Sequence, residues 1–180
     1  LKIRKLRSHG ITRDKKFHWK YNAGLPGFNY RLSDINCALG VSQLKKINYF
    51  LLKRKEIYNF YKQEFKDIND YISFPKYDLQ NKPSFHLILI NINFHKIKKK
   101  KDQFLSYLLK NNIACQYHYI PINKFKGLNL KSLKFKYSEK YYSSSLSIPV
   151  YHLMTHKIQN FIINKIKKFF EKASNVRMEK

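Results

Sequence analysis

The 180-residue chain carries 37 Lys and Arg against 11 Asp and Glu, a formal net charge of +26 that raises nucleic acid as a partner. Its lysines are spread over nearly every segment, the densest run (Lys96 to Lys101, KIKKKK) is broken by Ile97, and no helix-turn-helix, RNA-recognition or zinc-finger pattern accompanies them. A basic nucleic-acid-binding module is therefore kept only as an alternative, while Cys37 and Cys115 fit no disulfide or metal spacing and no apolar run reaches membrane length, which favours a soluble protein of a reducing cytoplasm.

Leu1 to Arg7 (LKIRKLR) reads as the middle of an element, with no initiator Met ahead of it, so a fragment of a longer protein is expected. Ser8, His9 and Gly10 form a polar turn. Lys15 to Tyr21 (KKFHWKY) has no clean period and is expected to be a loop that delivers Trp19 and Tyr21 to packing. The rest of the chain is arranged around the stretch from Gly24 to Gly40, GLPGFNYRLSDINCALG. Gly24, Pro26 and Gly27 supply turn chemistry, and Asn29 and Arg31 stand two apart, so in an extended segment amide and guanidinium face one common site. Ser33 sits at the N-cap of a helix, with Asp34 in its first turn and Ile35, Ala38 and Leu39 as its apolar face. A capped helix start behind an Arg and an Asn suits an anion, although most capped helices bind nothing.

The helical period continues through Leu44 and Ile47, then Phe50, Ile57, Phe60, Tyr61 and Phe65, which predicts two consecutive helices jointed near Asn48 and ending about Lys66. Tyr71 to Pro75 reads as a short edge strand, Phe85 to Phe94 as a buried strand and Lys98 to Asn112 as a helix bearing Phe104, Tyr107 and Leu108. Ala114 to Tyr119 reads as the next strand, closed by the bend at Pro121. Ser138 to Ser145 is expected to be helical, Leu146 to Pro149 a strand, and Thr155 the N-cap of a last helix with Ile158, Phe161, Ile162, Ile166 and Phe169 at core spacing. The alternation describes a compact α/β unit from residue 68 to 180, preceded by the tail of another domain over residues 1 to 67.

Among candidate chemical groups, His152 and His156 (HLMTH) have the spacing of helical zinc ligands but lack the intervening Glu and a third ligand, so no metal is expected. His118 and Tyr119 end a strand at a bend, where side chains often line a cleft. No Ser-His-Asp order, Walker loop or GxGxxG occurs.

Taken together, RSHGITRD, the GFNYRLSDINCALGVSQL block, KRKEIY, HLILI and QYHYIPI resemble, in order and spacing, the DegT/StrS-type aminotransferases, which act on nucleotide-linked keto sugars. The likeness covers nearly the whole chain. SHGI and HYIP are similar to the branch that aminates C4 of UDP-linked 6-deoxy-N-acetyl sugars on the route to pseudaminic acid. The resemblance implies a fold-type I α/β transferase that binds pyridoxal 5'-phosphate, works as a homodimer with shared active sites, and takes its amino group from glutamate. This chain would be the end of the large domain plus the small domain. The resemblance puts Asn29 at the cofactor phosphate of the neighbouring subunit, with Arg31 at cofactor or substrate. His118 and Tyr119, at the strand end before the Pro121 bend, are expected on the substrate side, with His9 as a further substrate contact. The family's Schiff-base lysine would lie upstream of Leu1, so the fragment alone is expected to be inactive. A His in that place would make a dehydratase, and a non-catalytic relative is the other alternative.

Overall fold

The computed structural model describes residues 2–17, 19–78, 80–128 and 134–175, with side chains as far as residue 171. Leu1 of the N-terminal segment and His18 of the KKFHWKY segment lie outside the described residues. The chain divides into two compact units, Leu1–Ile47 and Asn48–Lys180.

The first unit opens with helix α1 (Lys2–Leu6) and a two-stranded antiparallel hairpin, β1 (Ile11–Arg13) with β2 (Tyr21–Ala23), which the sequence reading leaves as turn and loop. Between the strands, the Asp14 carboxylate accepts from the Lys16 and Phe17 amides at 2.8 Å, and these bonds hold its pKa below the ordinary carboxylate value. Helix α2 (Asp34–Leu44) begins where expected: Ser33 is extended, at φ −67° and ψ 159°, and its Oγ accepts from the Asn36 amide. The face predicted to be apolar and packed is instead exposed, with Ile35 at 82% and Leu39 at 59%.

Helix α3 (Ile47–Glu64) follows after a break at residues 45 and 46, slightly ahead of the joint read at Asn48. Apart from Ile47 it lies in the second unit, where Ile57, Tyr58 and Tyr61 are buried. The second unit holds a three-stranded antiparallel sheet of order β3 (Ile72–Ser73), β4 (Ile88–Ile92), β5 (Ser145–Ile148). Register explains its two faces. Ile88 pairs with Ile148, Ile90 with Leu146 and Ile92 with Ile72, all buried, while Leu89 pairs with Ser147 and Asn91 with Ser145 on the opposite side. One face is thus apolar and the other largely polar.

Helices α4 (Lys101–Lys110), α5 (Lys136–Ser144) and α6 (His156–Asn175) complete this unit, and Thr155 Oγ1 accepts from the Ile158 amide at the start of α6 as expected. The buried side of α6 matches the prediction at Ile162 and Ile166, with Phe169 packed against the core, and departs from it at two positions. Ile158 and Phe161 are 38% and 46% exposed, whereas Gln159, Ile162, Ile163, Ile166 and Phe170 are buried. Gln159 Nε2 donates to the Ile57 carbonyl at 3.1 Å, a buried polar contact between α6 and α3. The segment Ala114 to Tyr119, read as a strand, makes only one bridge to the sheet, between Gln116 and Ser147. Beyond that bridge its backbone turns away toward Pro121.

Candidate active site

In the first unit the site is built on a short backbone pairing. The amides of Phe28, Tyr30 and His9 donate to the carbonyls of Leu6, Arg7 and Phe28, each at 2.9 Å, and Ser8 faces Asn29 in an antiparallel bridge. Two glycines permit the approach. A Cβ on Gly10, at φ +70°, would stand 1.7 Å from the Leu25 carbonyl oxygen, and one on Gly27 would stand 2.3 Å from the Gly10 nitrogen. His9, next to the bridge, has a left-handed φ of 60°.

Along residues 28 to 31 the side chains alternate as an extended segment requires. The rings of Phe28 and Tyr30 stack at 5.1 Å, and the intervening pair is polar: Arg31 Nε donates to Asn29 Oδ1 at 3.0 Å. That bond uses one lone pair of Asn29 Oδ1, and the other polar atoms, Asn29 Nδ2 and the Arg31 Nη atoms, are all donors. Both residues are exposed. This donor-rich set, with a fixed positive charge, fits the phosphate of pyridoxal 5'-phosphate.

In the second unit, His118 and Tyr119 point to different surroundings. Ser147 Oγ lies 2.8 Å from His118 Nε2 and 3.3 Å from the Gln116 carbonyl, within hydrogen-bond reach of both. His118 Nδ1 is buried and has no hydrogen-bond partner. Tyr119 is 74% exposed and lines a cleft of about 410 Å³ with Ile120, Pro121, Tyr137, Ser138 and Tyr141. The sequence reading missed Tyr137 and Tyr141; their positions one helical turn apart on α5 are the signal that groups them. It also missed Lys101, whose Nζ lies 4.7 Å from the Tyr117 ring centre and 3.8 Å from that of Tyr142, and donates to the Tyr142 carbonyl. Desolvation there lowers the lysine pKa.

The two histidines spaced as zinc ligands pack on aromatic rings, His152 against Phe50 at 4.4 Å and His156 against Phe60 at 4.8 Å. Among the described residues no three His, Cys, Asp or Glu side chains gather as a metal site, and no helix is long and apolar enough to cross a membrane.

The DegT/DnrJ/EryC1/StrS aminotransferase family matches residues 1–167. The chain is 39% identical over 174 residues to UDP-4-amino-4,6-dideoxy-N-acetyl-beta-L-altrosamine transaminase of Campylobacter jejuni, covering 96% of this chain and 45% of that protein. It is 33% identical over 173 residues to the Helicobacter pylori transaminase of the same name, covering 93% and 44%. Among solved structures it is similar to Helicobacter pylori PseC, an aminotransferase involved in the biosynthesis of pseudoaminic acid, with a TM-score of 0.83 and 30% identity over 94% of this chain and 45% of that one. The chain therefore spans about 45% of the length of these relatives. The mixed α/β architecture expected from the resemblance is the one observed, and the chain belongs to the DegT/DnrJ/EryC1/StrS aminotransferase family.

Proposed function

We propose that this chain is part of a pyridoxal 5'-phosphate-dependent transaminase that moves an amino group from glutamate to the C4 keto position of a UDP-linked 6-deoxy-N-acetylhexosamine. Its 39% identity across 174 residues to a transaminase named for such a sugar carries the reading. Bound cofactor supplies the electron sink through which nitrogen passes from amino acid to ketone. The amino acid leaves as the 2-oxo acid, and the sugar gains an amine and a hydrogen where it held the keto oxygen.

The chain's own residues bind and orient. Asn29 Nδ2 and the Arg31 guanidinium hold the cofactor phosphate of the neighbouring subunit in a cytoplasmic homodimer, and their mutual hydrogen bond keeps both forks in one direction. Tyr119, with Tyr137 and Tyr141 beside it, offers ring faces and hydroxyls to the nucleotide sugar. His118 supports this surface from beneath through Ser147, and His9 borders the Asn29 segment as a further substrate contact. The Schiff-base lysine is supplied by a part of the enzyme outside these residues. The test is to give the intact enzyme the UDP-4-keto sugar and ¹⁵N-glutamate. The reading predicts ¹⁵N at C4 of the product. Loss of a sugar hydroxyl without nitrogen uptake would instead make the protein a dehydratase.

A further inference from the structure

A cavity of about 1040 Å³ in the second unit is lined by the turn ahead of α4, the edge of the sheet and α5, and nothing in the proposed transamination uses it. Its polar lining has one chemical character. Lys98, Lys99 and Lys100 come from the turn and Lys140 from α5, while the single acidic group at the wall, Asp70, is paired with Lys96 at 3.1 Å. Three asparagines, Asn69, Asn91 and Asn93, also line it, and two of them accept a bond within the protein. Asn91 Oδ1 accepts from Ser145 Oγ, and Asn93 Oδ1 accepts from the Lys96 amide at 3.0 Å. Each keeps its NH₂ as a donor, beside the second lone pair of its oxygen. Ser143 Oγ and Ser144 Oγ both donate to the Lys140 carbonyl, which fixes the last turn of α5 behind the Lys140 side chain.

Four ammonium groups and two amide donors around one cavity make a receptor for a multiply charged anion. Tyr71 and Phe94 add an apolar wall that suits the organic part of a phosphate ester. We propose that this cavity binds a phosphorylated small molecule, with the phosphate held by Lys98, Lys140 and the amides of Asn91 and Asn93. The site is independent of the donor pair at Asn29 and Arg31, and its failure would leave the transaminase reading untouched.

The probe is inorganic pyrophosphate, titrated into the ¹⁵N-labelled intact enzyme at physiological salt. The expected result is saturable movement of the Asn91 and Asn93 side-chain NH₂ signals. Lys98→Gln with Lys140→Gln should weaken the apparent Kd about tenfold or more, the equivalent of at least one charge-assisted hydrogen bond. The control variant Lys45→Gln with Lys46→Gln removes the same charge from the first unit and should leave the titration unchanged. If both double variants weaken binding equally, or the shifts spread without saturation over the lysine-bearing surface, the anion is responding to net charge alone and the proposal is overturned. Amide-NH₂ assignments checked in Asn91→Ser and Asn93→Ser variants, each verified as folded from its backbone spectrum, keep the readout tied to the cavity.

Discussion

Ser147 Oγ stands 2.8 Å from His118 Nε2, and this bond gives two neighbours in sequence different tasks. His118 is tied to the polar side of β5, whereas Tyr119 is left facing solvent at 74% exposure. Replacing His118 or Ser147 by Ala should each cost about 0.5–1.5 kcal/mol of stability, the net value of one hydrogen bond, with a coupling in the double variant. Urea titration of the single and double variants measures it. Tyr119→Ala should leave the urea midpoint in place and, in the intact enzyme, raise KM for the nucleotide sugar while sparing the half-reaction with glutamate.

The close approach of two turns at Gly10 and Gly27 predicts a contrast between glycines. Gly27→Ala puts a Cβ 2.3 Å from the Gly10 nitrogen and 2.7 Å from the His9 carbonyl carbon, so it should disrupt the first unit. Gly40, inside α2, has nothing within 4 Å of an added Cβ, and Gly40→Ala should stabilise that helix by about 0.5–1 kcal/mol. Circular-dichroism melts of the two variants should move in opposite directions.

Cys115 and Tyr61 make stability fall in alkali. Burial pushes the Cys115 thiol up to about 12 and raises the Tyr61 phenol as well. Above the unfolded thiol's ordinary value near 9.0 the unfolded chain releases this proton while the folded chain keeps it. The unfolded state then binds fewer protons, so stability declines as pH rises from about 9 toward 12. Urea midpoints measured across that range check the sign. At neutral pH the same burial predicts that a maleimide labels exposed Cys37 quickly and Cys115 slowly.

Local chemistry was legible wherever it depends on near neighbours. Ser33 and Thr155 cap their helices because a hydroxyl at that position needs only its own backbone three residues on. The shared direction of Asn29 and Arg31 follows from strand alternation, and their hydrogen bond bears it out. Features set by distant partners were not legible. Gln116 meets Ser147 at one bridge only, so a β-rich segment does not become a strand, and α6, where Gln159 reaches the Ile57 carbonyl, buries Ile163 and Phe170 where the periodicity alone favours Phe161 and Ile158. The hairpin of β1 and β2 escaped notice because its three-residue strands carry too few apolar positions to show a period.

The Asn29 and Arg31 pair predicts a graded effect on cofactor retention in the intact enzyme. Arg31→Lys keeps the charge but cannot direct the Asn29 amide through Nε, so it should weaken cofactor binding without abolishing it. Asn29→Ala should cost about 1.5–3 kcal/mol for each charge-assisted hydrogen bond it removes. Equilibrium dialysis against pyridoxal 5'-phosphate ranks wild type, Arg31→Lys and Asn29→Ala in that order.

The central claim, that this chain's donor pair serves a cofactor site in the neighbouring subunit, is tested most directly by mixing two defective subunits of the intact enzyme. One carries Asn29→Ala and the other lacks its Schiff-base lysine. In the mixed dimer one site joins the intact lysine of the first subunit to the intact Asn29 of the second, and the account predicts that ¹⁵N transfer from glutamate to the sugar returns at that site. Transfer no greater than in either parent, with mixed dimers confirmed by two affinity tags, would contradict it.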